Sequence, residues 1–296
     1  MAAKFERVGI VARRGGEQVE DSVAAVARVL AERGVEILLE DGASGAGAPT
    51  NGVRVATRTE LGATCDLVVV VGGDGSLLGV GRDLARDGVP VLGVNRGGLG
   101  FLAGVAPESI EASLPAVLDG EFVSEAHFLL EATVTEGERE IGRSTALNDV
   151  VVHSGGRVHM LEQRVWIDDE WVYDQRGDGL IITTPTGSTA YSLSAGGPIM
   201  HPSLDAIAIV PMFPHTLTAR PLVVQGDARV KVAVENAAAT RARVSCDSRV
   251  HIPLNNASEL TIRKFATPLQ LIYPVDHSFY ESCRSKLDWA TRLGDR

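Results

Sequence analysis

The stretch DLVVVVGGDG, residues 66–75, decides how the first third of the chain folds. Leu67 and the four valines after it show no polar alternation. Such a segment needs cover on both faces, as a central strand of a parallel sheet has. Two glycines, a single carboxylate (Asp74) and a third glycine follow at the strand's carboxyl end, where open α/β sheets bind ligands. Working outward, VGIVAR (8–13) and VEILLE (35–40) read as short apolar strands, and VPVLGVN (89–95) as another buried one. Val19, Val23, Val26 and Leu30 recur at helical spacing, with Gly34 as a stop. Residues 76–87 read as a helix opened by Ser76 and closed near Gly88, and residues 41–52 as a flexible surface loop. Strands alternating with helices predict an α/β domain with a parallel sheet over residues 1–125.

The pattern changes near Ala126. Phe128, Leu130, Ala132 and Val134 share one face, Val230, Val232 and Val234 another, and Leu260 and Ile262 repeat the period. Period two with polar punctuation means antiparallel strands with one solvated face. The expected fold class is therefore an α/β N-terminal domain plus a β-rich C-terminal domain over residues 126–275. The tail, 276–296, reads as irregular and then helical, and is expected to pack back on the first domain.

The chain has 296 residues and a net charge of -10. That length allows two domains with proper cores. The acidic balance argues against a nucleic-acid surface, which needs a basic stripe. Cys65, Cys246 and Cys283 lie far apart with no C-x-x-C, so they read as reduced thiols of a cytoplasmic protein. No apolar run is long enough for a membrane span, and the N-terminus lacks a signal-peptide core.

The glycines around Asp74 allow backbone conformations that a β-carbon forbids, and they let a phosphate approach main-chain N–H groups. Beside a bound phosphate or sugar hydroxyl, Asp74 could accept a proton or help hold Mg²⁺. A tight turn with a capping Asp reads equally well from four residues alone. There is no G-x-x-x-x-G-K-[ST] and no G-x-G-x-x-G after the first strand, so neither common phosphate loop is present. A second dense stretch is RGDGLIITTPTGSTAYSLSAGGPIMHP, residues 176–202. Its Thr and Ser hydroxyls and glycines suit ribose, pyrophosphate and amide groups, and Tyr191 could stack on a purine. A polar loop of the β-rich domain is the plainer alternative.

Together with VNRGGLGFL (94–102), LNDVVVH (147–153), VPMFPHTLTARPLVV (210–224) and SCDS (245–248), these segments closely resemble the bacterial NAD kinase family. The resemblance runs from about residue 66 to the end. GGDG is shared with phosphofructokinases and lipid kinases, and the first domain is expected to be phosphofructokinase-like. The long Thr/Ser/Gly segment is specific. The resemblance implies transfer of the γ-phosphoryl group of ATP to the adenosine-ribose 2′-hydroxyl of NAD, with Asp74 as general base. Gly72 and Gly73 match phosphate-side positions. Gly75, Phe101, Asn148, Asp149, His159, Arg176, Asp178, Thr189, Ala190, Tyr191, Ser192, Leu193, Ser194 and Ser248 match dinucleotide-contacting ones, with Phe101 and Tyr191 flanking adenine. A homodimer or homotetramer is implied, in which a neighbouring subunit contributes to the nicotinamide side. Many relatives carry Asn-Glu where this chain has Asn148-Asp149, so the acid here sits one methylene shorter.

With only four lysines in the chain and no Walker lysine, Mg²⁺ on the triphosphate is expected to neutralise most of the charge; no protein metal ligands are assigned. Asp168-Asp169-Glu170 reads as a charged hairpin turn rather than a metal cluster. The histidines lack zinc spacing, and His153, His201 and His215 read as structural or solvent-facing. The tryptophans read as packing residues. Arg96 fits a phosphate contact or a loop cap. A lipid kinase would advertise an apolar patch, and a sugar kinase would not need the adenine-flanking aromatics. A non-catalytic dinucleotide sensor would bind without turnover. ATP against polyphosphate, and NAD against NADH, stay open from sequence.

Overall fold

The computed structural model describes residues 5–13, 16–42, 52–96, 100–155 and 160–289. They divide into two compact units. One runs to Ala126 and resumes at Leu269, and the other spans His127–Pro268.

The first unit is built on a seven-stranded sheet, in the order Val53–Ala56, Glu36–Glu40, Arg7–Ala12, Leu67–Gly72, Val91–Asn95, Leu269–Tyr273, Val123–His127. Every residue of Leu67–Gly72 is buried, because parallel neighbours flank it on both edges and helices cover the faces. Val23, Val26 and Leu30 of the helix Glu17–Glu32 and Leu114 of Ile110–Leu118 share one core with Val69 and Val71. Strand order reverses beside Arg7–Ala12: the chain steps first to Glu36–Glu40 on one side and later to Leu67–Gly72 on the other. The carboxyl ends of Arg7–Ala12 and Leu67–Gly72 therefore form the topological switch point.

Two expectations change here, and one strand is added. The helix starts at Asp74, not Ser76, and runs to Leu84. Gly73 caps it with extended backbone (φ -88°, ψ 179°), its carbonyl accepting the N–H of Ser76 at 2.9 Å. A single 3₁₀ turn and Gly88 (φ 70°) close it. Residues 269–275, assigned above to the β-rich domain, leave it: Leu269–Tyr273 pairs in parallel with Val91–Asn95. Its near-continuous burial suits a covered parallel strand, and five residues are too few for a period to reveal that. The strand Val53–Ala56, unforeseen in the sequence, extends the sheet edge. Most of the expected 41–52 loop lies outside the described residues.

The second unit contains two six-stranded sheets. One orders Glu170–Gly177, Leu161–Ile167, Val230–Val234, Ser258–Lys264, Leu130–Glu136, Arg139–Ala146; the other orders Leu222–Gln225, Ala206–Met212, Gly179–Thr183, Asp149–His153, Arg243–Cys246, Val250–Pro253. The alternating residues Leu130, Ala132, Val134, Val230, Val232, Val234, Leu260 and Ile262 meet Val150, Val152, Leu180, Ile182 and Val244 of the other sheet in one core. The second sheet also has an outer apolar cluster, in which Val151, Ile181, Ala208 and Val210 pack with Met200. Met200 belongs to the Thr/Ser/Gly segment. Hence that segment is anchored to the sheet rather than hanging as a loop.

Candidate functional site

Asp74 is the first helical residue after the switch-point strand. It lies where the helix macrodipole favours a negative charge. Its carboxylate is held from outside the helix: the N–H of Phe101 donates to Oδ2 at 2.5 Å and the N–H of Leu102 to Oδ1 at 3.1 Å. Gly100 makes this approach possible, since a β-carbon there would overlap the Asp74 carboxylate. A β-carbon on Gly72 would crowd Ser76 Oγ at 2.6 Å. Arg96 donates its main-chain N–H to the Gly72 carbonyl at 3.0 Å and its Nε to Ser22 Oγ at 2.6 Å. It thus ties a helix to the loop. Residues 97–99 of the quoted VNRGGLGFL motif lie outside the described residues.

A cation unassigned in the sequence reading completes this unit's site. Lys286, in the helix Phe279–Lys286, places Nζ 5.1 Å from the centre of the Phe101 ring, within cation–π range. Burial lowers its pKa, and the charge of Asp74 pulls it back up. No local signal in SCRSKLDW points to it.

In the second unit the anchor is Asp247, also unassigned in the sequence reading. Its Oδ2 accepts the N–H of Leu147 at 2.9 Å, and its Oδ1 accepts those of Asn148 at 2.9 Å and Asp149 at 3.2 Å. One buried carboxylate thereby fixes the whole LND turn. Asp247 and Ser248 hold φ of 48° and 56°, the consecutive left-handed pair of a tight hairpin turn. Asp149 is 4% exposed, and burial, then the charge of Asp247, pushes its pKa up to about 7.

The hydroxyl-rich segment divides by role. Thr184 donates Oγ1–H to the carbonyl of Leu147 at 2.6 Å, and Thr183 to that of Asn148 at 3.0 Å. Ser188 bonds Pro185 and Met200. These buried hydroxyls are spent on the scaffold. Gly187 allows the close approach, since its β-carbon would overlap the Asn148 main chain. Two buried polar atoms have no partner here, Asn148 Oδ1 and Ser192 Oγ. Buried polar atoms are nearly always hydrogen-bonded to protein or ordered water, so these two mark the segment as a candidate contact point. Thr189, Ala190 and Leu193 are half-buried, and Tyr191 and Ser194 are exposed.

A cavity of about 330 Å³ brings Tyr191 and Ser248 together with Val151, His153, Ser245 and His251. Arg176 belongs elsewhere. It is exposed, bonds Glu162 at 2.5 Å and lines a different cavity of about 300 Å³ beside Gln163, Gln175 and His215. Asp178 is half-buried, its N–H given to the carbonyl of Met212. His159 lies outside the described residues. Asp168 and Asp169 form a hairpin turn with φ of 50° and 69°, and Asp168 accepts the N–H of Arg229. Trp171 and Trp289 are more than half exposed, so the packing reading does not hold for them. Among the described residues no group of three or more His, Cys, Asp or Glu is placed to hold a metal. No helix there is long and apolar enough to cross a membrane.

Known proteins match along the whole length. The model of the ATP-NAD kinase N-terminal domain matches residues 8–122, and that of the C-terminal domain matches residues 147–273. An NAD kinase of Pseudomonas entomophila (strain L48) is 48% identical over 293 residues, covering 99% of each chain. Yeast NADH kinase, solved with NADH, shares the fold: TM-score 0.87 at 22% identity, covering 99% of this chain and 90% of that one. An NAD kinase from Archaeoglobus fulgidus, solved with ATP, superposes with a TM-score of 0.73 at 25% identity over 95% of this chain and 98% of that one. With both domains matched and nearly half of all positions identical to a full-length relative, the chain belongs to the NAD kinase family, enzymes that phosphorylate NAD with ATP.

Proposed function

We propose that this chain transfers the γ-phosphoryl group of ATP to the adenosine-ribose 2′-hydroxyl of NAD, with Asp74 as the general base. One observation carries the assignment: each Asp74 oxygen accepts one main-chain N–H. A carboxylate offers about four lone-pair sites, so the group is fixed in direction yet keeps room to accept a hydroxyl proton. In phosphoryl transfer a protein mostly positions groups and stabilises charge. Gly72 and Gly73 serve the phosphate side. The orphaned Asn148 Oδ1 and Ser192 Oγ, with Asp149, Tyr191 and Ser248, serve the dinucleotide.

Mg²⁺ fits as a companion of the triphosphate, because it prefers phosphate oxygens and retained waters to an all-protein cage. When bound, it neutralises charge on the transferring group. Homo-oligomeric assembly and a cytoplasmic location belong to the same reading, the latter supported by three buried free thiols.

The test is purified protein with Mg²⁺, ATP or polyphosphate, and NAD or NADH, read as NADP(H) formed. Asp74→Asn should lose roughly 10²–10⁴-fold in turnover while NAD affinity moves far less. Near-normal turnover in that variant would remove Asp74 from the base role. Tight NAD binding with no turnover in the wild type would favour a sensor.

A further inference from the structure

The cavity that holds Tyr191 and Ser248 has a wall the phosphoryl-transfer reading does not use. Three side chains cross it as a hydrogen-bond chain. His153 Nδ1 lies 2.9 Å from the Ser154 carbonyl, His153 Nε2 lies 2.6 Å from Ser245 Oγ, and that Oγ lies 2.7 Å from His251 Nδ1. Sheet register explains the meeting. Ser245 pairs with His251 on one side and with Val151 on the other, and His153 pairs with Arg243, two residues before Ser245. All of them point away from the core, which takes the alternate residues Val150, Val152, Val244, Cys246 and Ile252.

The partners set the protons. A carbonyl only accepts, so His153 Nδ1 carries a hydrogen. In the neutral ring Nε2 is then bare and accepts from the Ser245 hydroxyl. That hydroxyl, its hydrogen spent, accepts in turn from His251 Nδ1–H. The chain ends on a bare His251 Nε2. No described residue donates to this atom, and its exposed ring lines the cavity.

We propose that His251 Nε2 is a specificity-determining hydrogen-bond acceptor for an N–H donor on a heteroaromatic group seated beside Tyr191: the exocyclic amine of adenine or the carboxamide of nicotinamide. His153 and Ser245 act through it, as positioning residues that hold the accepting tautomer. This inference rests on the dinucleotide reading above and adds the atom that tells one base or amide from its carbonyl or carboxylate analogue. An analogue presenting a lone pair at that place sets acceptor against acceptor. One partly exposed hydrogen bond of this kind is worth about tenfold.

The test is steady-state kinetics with NAD, with nicotinamide hypoxanthine dinucleotide (amine replaced by carbonyl) and with nicotinic acid adenine dinucleotide (carboxamide replaced by carboxylate). The wild type should prefer NAD over one of the two by about tenfold, and which one identifies the donor. His251→Leu should raise the NAD KM by about tenfold and erase that preference, the change falling on KM rather than kcat. His251→Gln, which keeps an acceptor oxygen, should restore it, and Ser245→Ala should erode it. A preference that survives in His251→Leu, or that His251→Gln loses as fully as His251→Leu, overturns the proposal. A wild type that makes no NADP at all counts against the kinase reading instead.

Discussion

The main-chain N–H of Phe101 points at Asp74 Oδ2 from 2.5 Å, across 27 residues of chain. The carboxylate proposed for the chemistry is thus aimed by the same segment that carries the Phe101 ring. The aim depends on Gly100, the residue before that ring.

Gly100→Ala therefore tests orientation without touching the acid. The new methyl would overlap the Asp74 carboxylate and turn it. A misplacement of about 1 Å costs on the order of 10²-fold. We expect kcat to fall by about that factor while the melting temperature drops only slightly. An unchanged kcat in a folded variant would refute the claim that this glycine sets the base.

Asp247→Ala should be among the most destabilising single changes in the second unit. It strips the acceptor from three main-chain N–H groups, and unmade buried bonds cost roughly 1–3 kcal/mol each. We expect a loss of at least about 3 kcal/mol in denaturant unfolding. Asp247→Asn keeps one acceptor oxygen and should lose less. Equal losses would show that the bonds, as opposed to the charge, contribute little.

Asp149 gives a pH signature whose sign is fixed. Its folded pKa, about 7, lies above the ordinary aspartate value near 4. The folded state therefore binds the proton more tightly than the unfolded one. This group's contribution is full below about pH 4 and is lost as pH rises toward 7, at a cost of a few kcal/mol. Asp149→Asn should flatten that limb and raise the melting temperature at pH 8 relative to the wild type. Parallel pH–stability curves for the two proteins would contradict it.

Lys286→Met removes the described ammonium beside Phe101 and the positive charge coupled to Asp74. With four lysines in the chain, little else of that kind replaces it. We expect kcat/KM for ATP to fall about tenfold, the scale of one partly screened charge contact, with Lys286→Arg retaining most of it. A Met variant indistinguishable from wild type would leave Lys286 a packing residue.

What the sequence by itself determined was whatever a local pattern encodes. The unbroken apolar run at residues 67–71 required a covered parallel strand, and period two in residues 128–134, 230–234 and 260–262 required antiparallel sheets with one buried face. The 176–202 segment, read beside GGDG, carried the resemblance to the family. Tertiary structure alone decided the rest. Leu269–Tyr273 joined the first sheet by pairing with a strand nearly 180 residues earlier. Thr183, Thr184 and Ser188 spent their hydroxyls on carbonyls. Asp247 and Lys286 acquired their importance from partners about 100 and 185 residues away. The physical reason is that periodicity reports which face of an element is buried. Which distant backbone donor, carboxylate or ring fills the space opposite depends on competition among all the faces at once.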